Sequence, residues 1–81
     1  MARADKLFAA MKANPQGDWA VGDIETLCRT YGISCKAPRR GSHYTLSHPG
    51  IAGHLTIPAR RPIKPIYIRL LIGMIEGLPK G

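Results

Sequence analysis

The spacing of apolar residues changes along this chain from a helical period to a strand period and back, which restricts the folds that it can adopt. In residues 22–31 the apolar side chains recur at i, i+3, i+4 and i+7, which is one face of a helix. Residues 43–47 and 54–57 instead alternate between polar and apolar side chains, as strands do. The turn-rich segment 48–53 predicts that these two strands form a hairpin. Residues 65–76 return to the helical period.

Signals at the segment ends complete a prediction of three helices and three strands. A first helix is stopped by Pro15, a second ends at Gly32, and a third starts near Pro65. These elements predict an α+β fold with a three-stranded antiparallel sheet, helices on one of its faces and the order α-α-β-β-β-α. The predicted helices cover residues 3–13, 22–31 and 65–76, and the predicted strands cover residues 33–36, 43–47 and 54–57.

The chain length limits the protein to one domain, because 81 residues cannot close a second core. We expect that domain to span residues 1–81, with residues 1–20 as an N-terminal helical extension. The longest apolar stretch, residues 66–75, is interrupted by Arg69 and is too short to cross a bilayer. Charged residues occupy the N-terminus, where a secretory signal has an apolar run, so we expect a cytoplasmic protein without a membrane partner.

The positive charge is confined to the second part of the chain. Lysine and arginine number 12 against 5 aspartate and glutamate residues, for a formal net charge of +7. Residues 1–35 hold four basic and four acidic residues, whereas residues 36–81 hold eight basic residues and only one acidic residue, Glu76. Such an uneven charge predicts binding of a polyanion or of an acidic protein. The alternative is a solvated basic face that only keeps the protein in solution.

Neither the cysteines nor the histidines are spaced for a metal or a cofactor. Cys28 and Cys35 match no zinc or redox motif, and we expect a buried Cys28 on a helix and Cys35 near a strand start, without a disulfide. In the predicted hairpin His43 lies roughly 13 Å along the strand from His54. The chain's three histidines therefore cannot share one metal ion, and we predict no metal site and no cofactor.

The predicted hairpin gathers basic residues around one histidine. Pairing Thr45 with Thr56 places His43 opposite Pro58 and directs the imidazole to the solvated face of the sheet. One pair of arginines shortly precedes His43 and another follows Pro58, so that both pairs meet at the same end of the hairpin. The residues predicted to lie there are Arg39, Arg40, Gly41, Ser42, His43, Arg60, Arg61 and Lys64.

These side chains suit RNA cleavage. Arginine binds phosphate oxygens at two points, and histidine can accept or donate a proton near neutral pH. A base could take the proton of a 2′-hydroxyl group while cations stabilise the charge that develops on phosphorus. On composition alone, however, such a histidine is more often an RNA-contacting or solvated residue, and the arginines could equally bind an acidic protein. Few aromatic side chains are expected at the site, because Tyr44 points to the core and Tyr67 lies on the last helix.

The order of these motifs is similar to that of a known family. A short helix closed by Gly32 is followed by a strand and by a basic stretch that leads into Gly41-Ser42-His43. The strand and turn of residues 44–49 come next, and then the strand of residues 55–58 and the last helix. In this arrangement residues 23–77, about two thirds of the chain, resemble the HicA toxins of bacterial toxin–antitoxin pairs.

The resemblance implies a double-stranded-RNA-binding-like fold over residues 21–78, metal-independent cleavage of mRNA and inhibition by a HicB-like antitoxin. It makes His43 the catalytic residue. Ala59 departs from the pattern, because family members often carry a second histidine there. Residues 1–20 have no counterpart in the short members and could supply extra core, a dimer contact or an antitoxin contact. The alternatives to a toxin endoribonuclease are a non-catalytic RNA-binding module and a basic protein-interaction domain.

The last helix carries more apolar surface than one sheet covers. Its predicted core face is Ile68, Leu71, Ile72 and Ile75, and a second row consists of Ile66, Leu70 and Met74. In a toxin held in a complex this second row would contact the partner. We expect instead that it packs beneath the N-terminal helix.

Overall fold

The computed structural model describes residues 3–78 and has the predicted α+β architecture. A three-stranded antiparallel sheet in the order β1-β2-β3 combines with three helices, and the elements follow one another as α-α-β-β-β-α, which confirms the predicted fold class. None of the helices in residues 3–78 is long and apolar enough to cross a membrane. The elements are α1 (Arg3–Ala13), α2 (Val21–Tyr31), β1 (Ser34–Lys36), β2 (His43–Ser47), β3 (Leu55–Pro58) and α3 (Pro65–Glu76).

Three strand boundaries differ by one residue from the prediction: β1 starts at Ser34 instead of Ile33, and β3 spans Leu55–Pro58 instead of residues 54–57. Ile33 was predicted to start β1, but its N–H donates to the carbonyl of Cys28 at 2.8 Å and so closes the end of α2. Gly32 makes this turn with a φ of 71°, in the left-handed region that favours glycine. At its C-terminal end β3 includes Pro58. An edge strand tolerates proline there, because no further strand needs the N–H that proline lacks.

The hairpin has the predicted register. His43 lies opposite Pro58 and Thr45 opposite Thr56. Leu46 and Ile57 are fully buried on the face that meets the helices, whereas His43 is exposed on the other face. The alternation in the sequence therefore predicted correctly that Leu46 and Ile57 face the core. Tyr44, which was also predicted to point to the core, is half-buried and is not among the side chains that pack against the core cluster.

The helix α1 is part of the core rather than an appendage. Met11 is completely buried, in the same apolar cluster as residues of α2, β2, β3 and α3. Trp19 packs against that cluster, and its carbonyl accepts a hydrogen bond of 2.9 Å from the N–H of Ile63. An ion pair between Lys12 and Glu76 joins α1 to the end of α3. Of the three roles considered for residues 1–20, the described part supplies extra core.

The second apolar row of α3 does not pack beneath α1, contrary to our expectation. Ile66 is 59% exposed and Leu70 is 50% exposed. The α1 helix meets α3 on the side of Ile72, which is turned about 120° about the helix axis from Ile66. The predicted core face of α3 is buried, but nothing among residues 3–78 covers the outer part of the second row.

Candidate nucleic-acid interface

His43 is exposed at the first position of β2, at the end of the β2–β3 hairpin opposite its turn. The two strands are still paired at this end. The cross-strand neighbour of His43 is Pro58, and the pairing continues one residue further because the N–H of Ala59 donates to the carbonyl of Ser42. Paired residues in antiparallel strands have Cα atoms about 5 Å apart, and each strand residue adds about 3.5 Å. The Cα atom of Arg60 therefore lies within about 12 Å of that of His43.

A cleft of about 290 Å³ opens beside this end of the hairpin. Its lining includes the hydroxyl residue Ser42 and the two cationic residues Arg60 and Lys64. All three are predicted site residues. These side chains come from three separate segments: the β1–β2 bend, the β3–α3 loop and the start of α3. Among residues 3–78 the lining consists of Ser42, Pro58, Arg60, Pro62, Lys64 and Tyr67.

Arg61 points its guanidinium group at a carboxylate instead. Its Nε and Nη2 atoms donate to the two oxygens of Asp18, each at 3.0 Å. The hydrogen bond from Arg61 is the main reason why the pKa of Asp18 is lowered, and the same bond raises the pKa of Arg61. Both side chains are 65% exposed, so the pair is accessible to solvent. Adjacent arginines thus have different surroundings, because Arg60 lines the cleft and Arg61 is already paired.

The first arginine pair lies on the bend that precedes β2. Arg39 and Arg40 are both exposed, outside the group of residues that lines the cleft. The Cα atom of Arg40 is within about 11 Å of that of His43, because only three Cα–Cα steps separate them. Gly41 has a φ of 81° and open space around its Cα atom, so its role in this bend is to allow the left-handed turn.

Tyr67 is the cleft residue that the sequence analysis missed. We expected it on the last helix, away from the site, but it lines the cleft and also packs against the core. Its N–H donates to the carbonyl of Lys64 at 3.0 Å in the first turn of α3. Residues three apart on a helix are neighbours. The spacing of Tyr67 from Lys64 was therefore a usable signal that the ring lies beside that cation.

The remaining reactive side chains do not form a second centre in the described part of the chain. Within residues 3–78 no three histidine, cysteine, aspartate or glutamate side chains are grouped closely enough to hold a metal ion. His48 is used locally, because its Nδ1 accepts a hydrogen bond of 2.9 Å from the N–H of Gly50. Cys28 and Cys35 are free thiols, and burial raises the pKa of Cys28 to about 12 and also raises that of Cys35. Neither thiol is therefore activated as a nucleophile at neutral pH.

Comparison with known proteins yields no relative. No protein-family model matches the chain, and no curated protein or solved structure matches it. Inferences about function therefore rest on the residues and their geometry.

Proposed function

We propose that this protein is a toxin endoribonuclease of the HicA type, with His43 as the acid–base group. One observation carries the proposal. His43 is exposed at the end of a hairpin and does not itself line the cleft, but its chain neighbour Ser42 and its cross-strand neighbour Pro58 do, together with two cationic side chains, Arg60 and Lys64. Histidine for proton transfer and cations for a phosphate are the two components that cleavage of an RNA backbone requires.

The reaction would be an internal transfer at phosphorus. His43 takes the proton of the 2′-hydroxyl group, and the 2′-oxygen forms a bond with the adjacent phosphorus. The bond from phosphorus to the 5′-oxygen then breaks, and that oxygen takes up a proton, which balances the one that His43 accepted. The products are a 2′,3′-cyclic phosphate and a 5′-hydroxyl end. Arg60 and Lys64 would stabilise the additional negative charge on the phosphate oxygens in the transition state.

The other basic residues would hold the RNA on either side of that phosphate. Arg39 and Arg40 are exposed on the bend before β2, and Ser42 offers a hydroxyl group in the cleft. Gly41 shapes the bend between them. Arg61 would have to exchange Asp18 for a phosphate, so its contribution is smaller than that of a free arginine. At Ala59, where the HicA pattern often has a histidine, a methyl group offers no second acid or base.

Replacement of His43 by alanine tests the proposal. His43→Ala should lower the rate of RNA cleavage by about 100-fold or more, because general acid–base catalysis contributes factors of this size. The variant should still bind RNA and should no longer arrest cell growth. His54→Ala is the matched control, since His54 is also exposed but lies at the other end of the hairpin. Cleavage is measured with a chelator present, as the HicA resemblance implies a reaction without a metal.

Three outcomes would contradict the proposal. Equal cleavage by His43→Ala and the wild-type protein would remove His43 from the reaction. RNA binding that weakens steeply with salt, without any cleavage by the wild-type protein, would indicate a non-catalytic RNA-binding module. An absence of salt-dependent RNA binding would indicate a basic protein-interaction domain.

The second apolar row of α3 supports a protein partner for the toxin. Ile66 and Leu70 are exposed, and Leu70 and Met74 border an apolar groove of about 200 Å³. The chain carries a net charge of +7, so a partner of opposite charge is favoured over a second copy of the same chain. The occupant that we propose is an acidic antitoxin of the HicB type. An mRNA substrate and this partner would place the protein in the cytoplasm.

A further inference from the structure

We propose that the cleft lined by Tyr67 binds one nucleotide of the RNA, with the phenol ring as the surface on which its base stacks. This inference rests on the proposed function and adds to it a subsite for the base. Tyr67 and the cations Arg60 and Lys64 line the same cleft, so an aromatic ring and two phosphate ligands occur together. A nucleotide combines a flat base with an anionic phosphate, and the cleft offers a partner for each part.

The composition of the cleft favours a nucleotide over a bare anion. Pro58 and Pro62 add apolar surface to the aromatic ring, while Ser42 adds a hydroxyl group. A phosphate ion alone would need the cations and the hydroxyl group but not the apolar walls. Base stacking on an aromatic side chain is tolerant of sequence, because every base has a π-face. The subsite is therefore expected to add affinity rather than strict base selection.

The size of the cleft limits its occupant. Its volume of about 290 Å³ is just below the range for ligand cavities, which is about 300–1,000 Å³. This space suits a single nucleotide and is too small for several stacked bases. The nucleotide would also adjoin the catalytic histidine, because Ser42 precedes His43 directly and Pro58 lies opposite it.

The ring of Tyr67 is held in place before RNA binds. The residue is partly buried, packs against the core cluster and lies in the first turn of α3. A side chain fixed by packing loses little conformational freedom when a ligand stacks on it, which favours binding. Arg60, in contrast, is exposed on a loop and can adjust to the position of the phosphate.

The direct test uses the wild-type protein with adenosine 3′-monophosphate and, separately, inorganic phosphate. In NMR titrations the nucleotide should shift the signals of Ser42, Arg60 and Tyr67, and contacts should appear between the protons of the adenine base and those of the Tyr67 ring. Shifts that lie elsewhere on the protein, or an absence of nucleotide binding at millimolar concentration, would overturn the subsite. This measurement needs no variant, so it does not depend on whether a variant folds.

Variants then separate stacking from phosphate binding. Tyr67→Leu should weaken binding of the nucleotide about tenfold or more without changing that of phosphate, because stacking contributes a factor of this size. Tyr67→Phe should bind the nucleotide as the wild-type protein does. Tyr31→Leu is the matched control, since Tyr31 is also partly buried but lies on α2 against Phe8. Equal nucleotide affinities for Tyr67→Leu and Tyr31→Leu would contradict the proposal.

A cleavage assay distinguishes failure of the subsite from failure of the proposed function. If the wild-type protein cleaves RNA and Tyr67→Leu has the same KM, the subsite is wrong and the nuclease proposal stands. If the wild-type protein does not cleave RNA but binds adenosine 3′-monophosphate through Tyr67, the subsite stands and the nuclease proposal is wrong. If both the subsite and the nuclease proposal are right, Tyr67→Leu should raise the KM for RNA while His43→Ala lowers kcat.

Discussion

Arg60 and Arg61 are neighbours in the chain, but within residues 3–78 only Arg61 is paired with a carboxylate. Arg60 lines the cleft, whereas Arg61 is bound by Asp18 through two hydrogen bonds of 3.0 Å. A cation that is already neutralised by a carboxylate releases few counterions when it meets a phosphate. The salt dependence of RNA binding should therefore indicate fewer phosphate contacts than there are arginines around His43.

Asp18→Asn should release Arg61 for RNA and so steepen the salt dependence of binding. The slope of log affinity against log salt should become more negative by about 0.7, the contribution of one phosphate contact with a single strand. The measurement is fluorescence anisotropy of labelled RNA in the His43→Ala background, which prevents cleavage. Glu76→Gln is the matched control, because it also removes one carboxylate from an exposed ion pair, at the far end of α3. Equal slopes for the two variants would show that Arg61 does not contact RNA.

At the residue scale the sequence predicted positions on the strands better than partners across loops. The exposure of His43 followed from strand alternation. The pairing of Arg61 with Asp18 spans 43 positions and depends on how two loops dock, which no local pattern encodes. Tyr67 was missed because its helix was treated as a core element, although its first turn opens into the cleft.

At the scale of secondary-structure elements, α1 closes the core that the sheet, α2 and α3 leave open. Met11→Ala should lower the free energy of unfolding by about 2–5 kcal/mol, because it deletes a completely buried side chain. Lys12→Ala, the adjacent control, removes only an exposed ion pair with Glu76 and should cost at most about 1 kcal/mol. Urea denaturation of both variants gives the comparison. Equal stabilities would mean that α1 does not belong to the cooperative core.

The elements themselves were predictable because each has a clear hydrophobic period. The helices α1 and α3 and the strand β2 have the predicted bounds, and the other elements differ from the prediction by one residue. The exposed row of α3 was not predictable in the same way. Periodicity identifies an apolar face, but which neighbour covers it depends on where α1 packs on α3, and α1 lies on the side of Ile72, which leaves Ile66 and Leu70 exposed.

At the scale of the whole molecule, the protein has two distinct surfaces with different chemistry. The end of the hairpin beside Arg60 and Lys64 is cationic and polar, whereas the row of Ile66 and Leu70 on α3 is apolar. Both surfaces belong to the part of the chain that carries all of the net charge of +7. A net positive charge attracts an acidic protein, and the exposed apolar side chains can then supply the binding energy. Partner binding and RNA cleavage should therefore be separable by mutation.

Leu70→Ser should weaken the complex with the proposed antitoxin and leave the proposed RNA cleavage unchanged. The partner to test is the product of the reading frame next to the one that encodes this chain, which the proposed function predicts to be an acidic antitoxin. Leu70 is half exposed, so the substitution should have little effect on folding, and loss of an interface anchor typically costs about 2 kcal/mol or more. The affinity should fall about 30-fold or more by calorimetry. Cells that express both proteins should then stop growing.

Ala9→Ser, an exposed substitution on α1, is the control and should bind the partner as the wild-type protein does. A complex with Leu70→Ser as tight as that of the control would exclude the α3 row from the interface, and the antitoxin would then have to bind at the cleft.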